Sequence, residues 1–234
     1  MIGYDVQEGV ATVSLDRATA RNAVPIADWD TLARTIGAAA GQARVILLRS
    51  AVPGTFCAGA DLGEFAAMMA DPALVARFRR AMAGAMTAVA DAAVPVIAAI
   101  DGGCFGAGVA LAMACDLRIA GAEAAFAIPP ARLGISYPAG DIQRLRTLVG
   151  PGQAARLLLT GDRIDAAEAA RIGLVELSVP NAKPVGREMA ARIAANSGAS
   201  VAALRAVLRG QEDGDARFDA LFAGPDLRTR FTRR

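Results

Sequence analysis

The chain has 234 residues, of which 54% are hydrophobic and 21% charged, and its net charge is +2. This composition is enough to bury one substantial core, so we expect one main domain, and the even spread of basic residues disfavours a nucleic-acid-binding protein. Because histidine is absent, Ser-His-Asp and Cys-His catalysis are excluded, and a transition-metal site is disfavoured.

The N-terminal segment predicts a hairpin followed by a helix. Residues 1–7 contain Asp5 and lack a basic start followed by an apolar core, so no signal peptide is predicted and a cytoplasmic location is expected. Residues 10–15 alternate after a Glu-Gly turn signal, which predicts a hairpin with residues 2–7. Pro25 suits a first helical turn. The apolar residues that follow it at helical spacing are Ile26, Trp29, Leu32, Ala33 and Ile36.

A strand, a glycine-rich loop and a helix are then predicted twice in succession. Short apolar runs are typical of strands buried on both faces, and longer periodic segments are typical of helices. The predicted strands are residues 45–48 and 95–100, and the predicted helices are residues 62–70, 73–93 and 109–115. This alternation favours an α/β architecture.

Neither a membrane span nor a cysteine-based site is predicted. The glycine-rich apolar stretch at residues 102–115 is shorter than the roughly 20 residues that a span requires. Cys57, Cys104 and Cys115 are odd in number and lack zinc-like spacing, which indicates reduced thiols. With no histidine to activate it, Cys57 is interpreted as a small buried side chain rather than a nucleophile.

The second half of the chain is predicted to be mostly helical from Asp141 onward. Asp165-Ala166-Ala167-Glu168 fits a capping box in which the aspartate is the cap. Short strands are predicted at residues 117–120, 125–127 and 175–179, and polar breaks between helices at residues 196–198 and 210–214.

Two glycine-rich loops, each directly before a helix, are the candidate functional segments. The first reads Phe56-Cys57-Ala58-Gly59-Ala60-Asp61-Leu62, and the second runs from Asp101 to Val109 as Asp-Gly-Gly-Cys-Phe-Gly-Ala-Gly-Val. Small residues let backbone N–H groups approach a ligand, and a helix N-terminus adds partial positive charge. Two N–H groups directed at one oxygen would stabilise an enolate. Taken alone, either loop could equally be a tight turn.

The two loops resemble the F-x-A-G-x-D-L and N-G-x-x-x-G-G-G signatures of the crotonase (enoyl-CoA hydratase/isomerase) superfamily. Several matching blocks in a consistent order are more specific than one glycine motif. The further blocks, which extend the resemblance over nearly the whole chain, are Arg21-Asn22-Ala23, Cys115-Asp116-Leu117, Leu133-Gly134-Ile135, Gln143-Arg144-Leu145, and Leu159-Thr160-Gly161 through Gly173-Leu174-Val175.

The resemblance implies an α/β fold built as a spiral of ββα units with a C-terminal helical region. Residues 1–183 would form the spiral core with an acyl-CoA site, and residues 184–234 a helical trimerisation region. It further implies homotrimers, often paired into hexamers. The substrate would be an acyl-CoA, so that coenzyme A is part of the substrate and no separate cofactor or metal is expected.

Carried over by position, the resemblance also assigns the binding residues. The oxyanion donors would be the backbone N–H groups of Ala58 and Ala107. Arg21, Ala23, Ala60 and Asp61 would lie at the coenzyme A nucleotide, with Arg21 as the candidate ligand of its phosphates because a guanidinium offers several donors. The competing interpretation of Arg21 is an ordinary surface arginine.

The two glutamates by which family hydratases share a water and exchange a proton are missing. Their positions carry Ala110 and Pro130. The aspartate that other branches use would align with Pro138, and it too is absent. Efficient hydration by the usual route is therefore not expected.

Three other side chains remain as candidates for the chemistry. Tyr137 follows Leu133-Gly134-Ile135-Ser136 in a segment that resembles methylmalonyl-CoA decarboxylase, although the histidine which that enzyme carries in its first loop is Ala60 here. Asp141 and Glu64 are the other two. The alternatives are a tyrosine packed in the pocket wall, an aspartate that caps a helix, and a solvated glutamate in a first turn.

Taken together, the sequence favours an acyl-CoA enzyme that acts through an enolate, as an isomerase or a decarboxylase-like lyase rather than an efficient hydratase. A non-catalytic acyl-CoA-binding homologue is the alternative. An RNA-binding branch of the superfamily carries a lysine-rich helix, whereas Lys183 is the only lysine here, which argues against nucleic acid as a partner.

Overall fold

In the computed structural model, which describes residues 2–231, the chain folds into ten strands and ten α-helices joined by short turns. The strands are β1 (Ile2–Gln7), β2 (Val10–Leu15), β3 (Val45–Ser50), β4 (Thr55–Cys57), β5 (Val96–Ile100), β6 (Gly103–Phe105), β7 (Leu117–Gly121), β8 (Ala125–Ala127), β9 (Ile164–Asp165) and β10 (Leu177–Val179). The helices are α1 (Ile26–Ala40), α2 (Phe65–Ala70), α3 (Pro72–Ala90), α4 (Ala107–Ala114), α5 (Ala139–Thr160), α6 (Ala166–Arg171), α7 (Ala182–Ala195), α8 (Gly198–Leu208), α9 (Gly214–Ala223) and α10 (Pro225–Phe231).

The strands form two sheets that the chain visits in turn. The larger sheet has the order β1-β2-β3-β5-β7-β10, and the smaller has the order β4-β6-β8-β9. Each of three successive units places one strand in each sheet and continues into helix: β3 and β4 lead to α2 and α3, β5 and β6 to α4, and β7 and β8 to α5. The predicted spiral of ββα units is confirmed.

The first elements form as their residue pattern predicts. β1 and β2 are antiparallel, with Ile2 opposite Leu15. In α1 the apolar residues face the core, and Trp29, Leu32 and Ile36 are fully buried, whereas Ala33 is only half-buried. Spacing of three and four residues puts these side chains on one helical face.

The smaller sheet was not predicted as a sheet. β4, β6 and β9 are only two or three residues long, and β6 lies inside the second glycine-rich loop. Such short strands exist because a neighbouring strand satisfies their backbone groups, and that pairing is not visible in local sequence.

The C-terminal helices attach to the core in two ways. α7 runs across the boundary predicted at residue 184, and its Gly186 packs so closely that a Cβ there would lie 2.9 Å from Leu47. Helix α8 is held through Arg205, which donates to Asp116 at 2.8 Å. Residues 232–234 of the predicted trimerisation region lie outside the described residues. None of the helices in the described part of the chain is long and apolar enough to cross a membrane.

Candidate active site

The fold brings the two glycine-rich loops into contact. β4 and β6 are parallel neighbours, with Cys57 opposite Cys104, so both loops leave the same edge of the smaller sheet. Gly59 has φ +100°, and a Cβ on it would lie 2.8 Å from the carbonyl oxygen of Phe105 and 3.3 Å from the nitrogen of Ala107. Only glycine combines this backbone conformation with so close an approach.

Two backbone N–H groups at this contact have no acceptor among residues 2–231. Ala107 is the first residue of α4, where N–H groups lack a partner within the helix. In the first loop, the N–H of Ala58 donates to the carbonyl of Arg21 at 3.1 Å, and the N–H of Asp61 to that of Val24 at 3.1 Å. Of the two N–H groups between them, that of Gly59 lies beside the Cys57 thiol and opposes the rise in its pKa that burial causes, and that of Ala60 stays available. The structure thus presents Ala60, rather than Ala58, beside Ala107.

A cavity of about 500 Å³ lies over both loops. Its wall includes Ala60 and Ala107 and is otherwise mostly apolar. The apolar side chains come from the segment before α2, from α2 and α3, and from the turn that precedes α5: Leu62, Phe65, Met68, Met69, Val75, Phe78, Met82, Leu133 and Ile135. The side chains of Arg79, Ser136 and Tyr137 are polar, and no carboxylate of a described residue lines the cavity.

The positions of the missing glutamates are buried beside this cavity. Ala110 is fully buried in α4, and Pro130 lies in the cavity wall. Neither side chain carries a proton that could be exchanged. The wall therefore lacks the acid and base of a hydratase at the two places where the resemblance would put them.

Tyr137 lies in the cavity wall, and only 8% of its surface is exposed. Its hydroxyl donates to the carbonyl oxygen of Gly106 at 2.9 Å. Burial, and then the nearby charge of Asp141, raise the pKa of Tyr137 well above its ordinary value. The hydroxyl is therefore protonated at neutral pH, and its proton is already used inside the protein.

Asp141 lies behind the cavity wall, in the first turn of α5, and does not line the cavity. Helix α5 begins after Pro138, and the Asp141 carboxylate makes no capping bond to its backbone; instead it accepts from Arg144 at 3.0 Å. Burial raises the pKa of this carboxyl group, while Arg144 opposes the shift. Asp141 is thus a buried partner of Arg144 rather than a group that meets a ligand in the cavity.

The raised pKa of Asp141 makes a prediction about stability. As the pH rises from about 4, the carboxyl group loses its proton first in the unfolded chain, so the free energy of unfolding falls until the folded-state pKa is passed. Asp141→Asn removes this effect. We expect the free energy of unfolding of wild type, relative to that of the variant, to fall as the pH rises from 4 to 7. Urea unfolding measures this difference.

The matched control for this measurement is Asp213→Asn. Asp213 is an exposed carboxyl group, and Arg217 holds its pKa below the ordinary value. Its contribution to the free energy of unfolding therefore does not fall with rising pH. An advantage of wild type over Asp141→Asn that grows with rising pH would contradict the assignment.

Glu64 also lies outside the cavity wall. Its carboxylate accepts from the N–H of Ile26 at 2.7 Å. Ile26 is the first residue of α1, and its N–H is one of those that a helix leaves without an internal partner. Glu64 is therefore neither a cavity residue nor a solvated side chain, because it caps a helix that is distant in sequence.

Removing this cap should destabilise the fold without a specific effect on ligand binding. Glu64→Ala is expected to lower the free energy of unfolding by about 0.5–2 kcal/mol, the usual effect of losing a helix cap. Urea unfolding measures it, with the exposed Glu123→Ala as control. An unchanged stability accompanied by a specific loss of acyl-CoA binding would show that Glu64 belongs to the site after all.

The residues predicted to bind the nucleotide lie next to the first loop. Arg21 is exposed, and its guanidinium has no partner in the described part of the chain. Arg17, which was not selected from sequence, donates to the carbonyl of Ala23 at 2.8 Å and to Asp61 at 2.6 Å. Arg17 and the N–H of Gly63 hold the pKa of Asp61 below its ordinary value. Asp61 therefore braces the loop.

The cysteines take no part in the cavity. All three are buried free thiols, and burial raises the pKa of Cys57 to about 12. A thiol that stays protonated at neutral pH is a poor nucleophile.

Comparison with known proteins gives one consistent result. The profile of the family described as enoyl-CoA hydratase/isomerase matches residues 5–231. A solved structure of an enoyl-CoA hydratase/isomerase family protein from Hyphomonas neptunium is 34% identical, with a TM-score of 0.94 over 99% of this chain and 93% of that one. Enoyl-CoA hydratase from Bacillus anthracis is 31% identical, with a TM-score of 0.92 over 100% of this chain and 96% of that one.

Curated relatives agree but are longer. The Arabidopsis thaliana protein named "Probable enoyl-CoA hydratase 2, mitochondrial" is 40% identical over 173 residues, which is 73% of this chain and 57% of that protein. The chain thus spans less than two-thirds of the length of this relative.

Proposed function

The chain belongs to the enoyl-CoA hydratase/isomerase family, as its two loops indicated, and on this premise we propose that it is an acyl-CoA lyase which releases CO₂ from a thioester bearing a carboxylate on its α-carbon. The observation that carries the proposal is the pairing of two available N–H groups, those of Ala60 and Ala107, with a cavity wall free of carboxylates among the described residues. Coenzyme A is part of the substrate, and the reaction needs no further cofactor.

The N–H pair supplies the main stabilisation. The thioester oxygen would accept from both Ala60 and Ala107, and its negative charge grows as the enolate forms. Donors fixed in advance act strongly in a cavity from which water is excluded, and removing one such donor typically lowers the rate by about 10²–10³-fold. The partial positive charge at the start of α4 adds to this effect.

Loss of CO₂ reaches the enolate without a base. The bond between the α-carbon and the carboxylate breaks, its electron pair moves into the thioester enolate, and CO₂ leaves. The α-carbon of the enolate then takes a proton from water. Isomerisation, the other reaction that the sequence favoured, needs a group that removes a proton from carbon. Among the described residues, the polar side chains in the cavity wall are those of Arg79, Ser136 and the protonated Tyr137.

Nucleotide binding is assigned to the exposed side of the first loop. Arg21 is the proposed ligand of the coenzyme A phosphates because its guanidinium is exposed and unpaired among the described residues. Ala23 and Asp61 would shape this surface indirectly, through Arg17. Ala60 would contribute to the thioester site.

A screen of acyl-CoA thioesters by mass spectrometry tests the function. Malonyl-type, enoyl and saturated thioesters are incubated separately with the protein, and CO₂ loss, hydration, isomerisation and hydrolysis are scored together. We expect CO₂ loss from a malonyl-type thioester. Calorimetry with each thioester and its free acid provides the binding control, and comparable affinity for the two would contradict a thioester site.

A non-catalytic acyl-CoA-binding protein is the second candidate. It is favoured by the same lack of acid and base groups and by the Tyr137 hydroxyl, whose proton is engaged by Gly106. The screen separates the two functions, since thioester binding without any turnover would support the binding protein.

We also propose a homotrimer or hexamer. Helices α8, α9 and α10 expose large apolar side chains around a groove of about 750 Å³, among them Leu204, Leu208, Phe218 and Phe222. Exposed apolar patches of this kind mark association surfaces. Light scattering at micromolar concentration should give three or six times the 23.9 kDa of one chain, and a monomer would contradict the proposal.

The cytoplasmic location expected from the sequence stays a proposal. Relatives from Arabidopsis thaliana and Mus musculus are named as mitochondrial proteins. Fractionation of the source cells would decide between the two compartments.

A further inference from the structure

The peptide unit between Gly106 and Ala107 consists of the C=O of Gly106 and the N–H of Ala107. A peptide bond is planar, and its C=O and N–H point in opposite directions. Ala107 lines the cavity, where its N–H is proposed to hold the thioester oxygen. Whatever fixes the carbonyl of Gly106 therefore fixes the direction of this N–H as well.

The carbonyl oxygen of Gly106 accepts three hydrogen bonds. It receives the N–H of Val109 at 2.9 Å and that of Ala110 at 3.3 Å, which are first-turn bonds of α4. It also receives the hydroxyl of Tyr137 at 2.9 Å, from a residue 31 positions away in sequence. Gly106 itself has φ +50° and ψ −118°, a conformation that glycine adopts far more readily than other residues. This peptide is thus held by contacts rather than by local preference.

Tyr137 is itself fixed in the orientation that makes this bond. Its ring is buried in the cavity wall. Its hydroxyl donates to the carbonyl of Gly106, and the Ala110 N–H lies close enough to lower its pKa. Because the hydroxyl contacts the start of α4, its hydrogen bond stabilises the helix terminus and is not available to a ligand.

We propose that Tyr137 is a positioning residue, whose hydroxyl orients and polarises the Gly106–Ala107 peptide and so makes the Ala107 N–H a stronger donor to the thioester oxygen. This inference rests on the proposed function for the identity of the ligand. The physical basis is cooperativity, because a carbonyl that accepts an additional hydrogen bond strengthens the N–H of the same peptide, by about 10–30% per bond. Tyr137 would act through Ala107 without touching the substrate.

Vibrational spectroscopy of a bound, unreactive thioester tests this role directly. With [1-¹³C]hexanoyl-CoA, the carbonyl stretch should shift to lower frequency on binding to wild-type protein, because the N–H pair polarises the bond. In Tyr137→Phe we expect a shift smaller by about 10–30%, at a ligand concentration that saturates both proteins. Tyr4→Phe is the matched control, since Tyr4 lies in β1, where its hydroxyl accepts from Gln42.

A second protein keeps the test decisive if Tyr137→Phe does not fold. The chain has two tyrosines, so 3-fluorotyrosine incorporated into the Tyr4→Phe protein labels Tyr137 alone. The fluorinated phenol is a stronger donor, and the carbonyl shift should increase. An unchanged shift in Tyr137→Phe, or in the fluorinated protein, would overturn the positioning role.

The same measurement distinguishes failure of the proposed function from failure of the positioning role. If bound hexanoyl-CoA shows no shift in wild-type protein, its carbonyl does not meet the N–H pair, and the proposed function fails together with the inference. If wild type shows the shift and the Tyr137 proteins do not change it, only the inference fails.

Discussion

Ala107→Pro is expected to lower turnover of the thioester substrate by about 10²–10³-fold, the typical effect of losing one donor to a developing oxyanion. Ala107 is the first residue of α4, and proline is well tolerated at that position because the missing N–H has no partner within the helix. The substitution removes the proposed donor. Because the preceding Gly106 has ψ −118°, outside the range that a residue before proline usually adopts, the test requires a folded variant. Turnover is measured by CO₂ release, and folding by thermal unfolding.

Ala139→Pro is the matched control. Ala139 is the exposed first residue of α5 and follows Pro138, whose ψ of 137° suits a residue that precedes proline. This variant should keep wild-type turnover. If Ala107→Pro folds and turns over as fast as Ala139→Pro, the Ala107 N–H is not an oxyanion donor.

Hydration of crotonyl-CoA is expected to be at least about 10²–10⁴-fold slower than in a family hydratase that has both glutamates, because a positioned acid or base contributes this much. Ala110 and Pro130 occupy the two glutamate positions, and no other carboxylate of a described residue reaches the cavity wall. The assay follows loss of the enoyl absorbance, with a glutamate-containing hydratase measured in parallel.

Binding of crotonyl-CoA must be shown with the same preparation, so that slow hydration is not mistaken for an inactive protein. A turnover in the range of the parallel hydratase would show that a group behind the cavity wall activates water. Asp141 would then be the first residue to replace, because it is buried and its charge acts on Tyr137.

Much of the fold could be predicted from local sequence. The hairpin, α1 and the buried strands β3 and β5 follow from alternation, helical spacing and apolar runs, which are properties of a single segment. β4 and β6 could not be found in this way. Each has three residues, which are strands because β4 pairs with β6 and β6 also pairs with β8. The chain between β4 and β6 is 45 residues long.

In the candidate site, too, some features follow from sequence and others depend on tertiary contacts. Ala107 was assigned by the resemblance, and the structure places it at the start of α4, two residues before the helix start predicted from sequence. Ala58 was assigned by the same resemblance, but its N–H donates to the carbonyl of Arg21. The available N–H falls on Ala60 because the segment pairs with Val24, more than 30 residues earlier. A glycine motif therefore predicts that a loop turns, while the direction of each N–H depends on tertiary contacts.

The roles of two side chains could not be predicted from sequence, because they too depend on tertiary contacts. Glu64 caps α1 through Ile26, and Tyr137 binds the carbonyl of Gly106. Each contact joins residues more than 30 positions apart. Tyr137 was selected because its segment resembles methylmalonyl-CoA decarboxylase, and Glu64 as a further candidate for the chemistry. The structure places the polar atoms of both side chains on backbone groups instead.

We propose that the cavity stabilises a thioester enolate, while its described residues include no base that could form one by removing a proton from carbon. Turnover in D₂O tests it most directly. A malonyl-type thioester should lose CO₂ and give a product with one deuterium on the α-carbon, while a saturated acyl-CoA incubated with the same protein should keep its α-protons. Exchange of those α-protons at a rate comparable to CO₂ release, or no CO₂ release at all, would contradict the account.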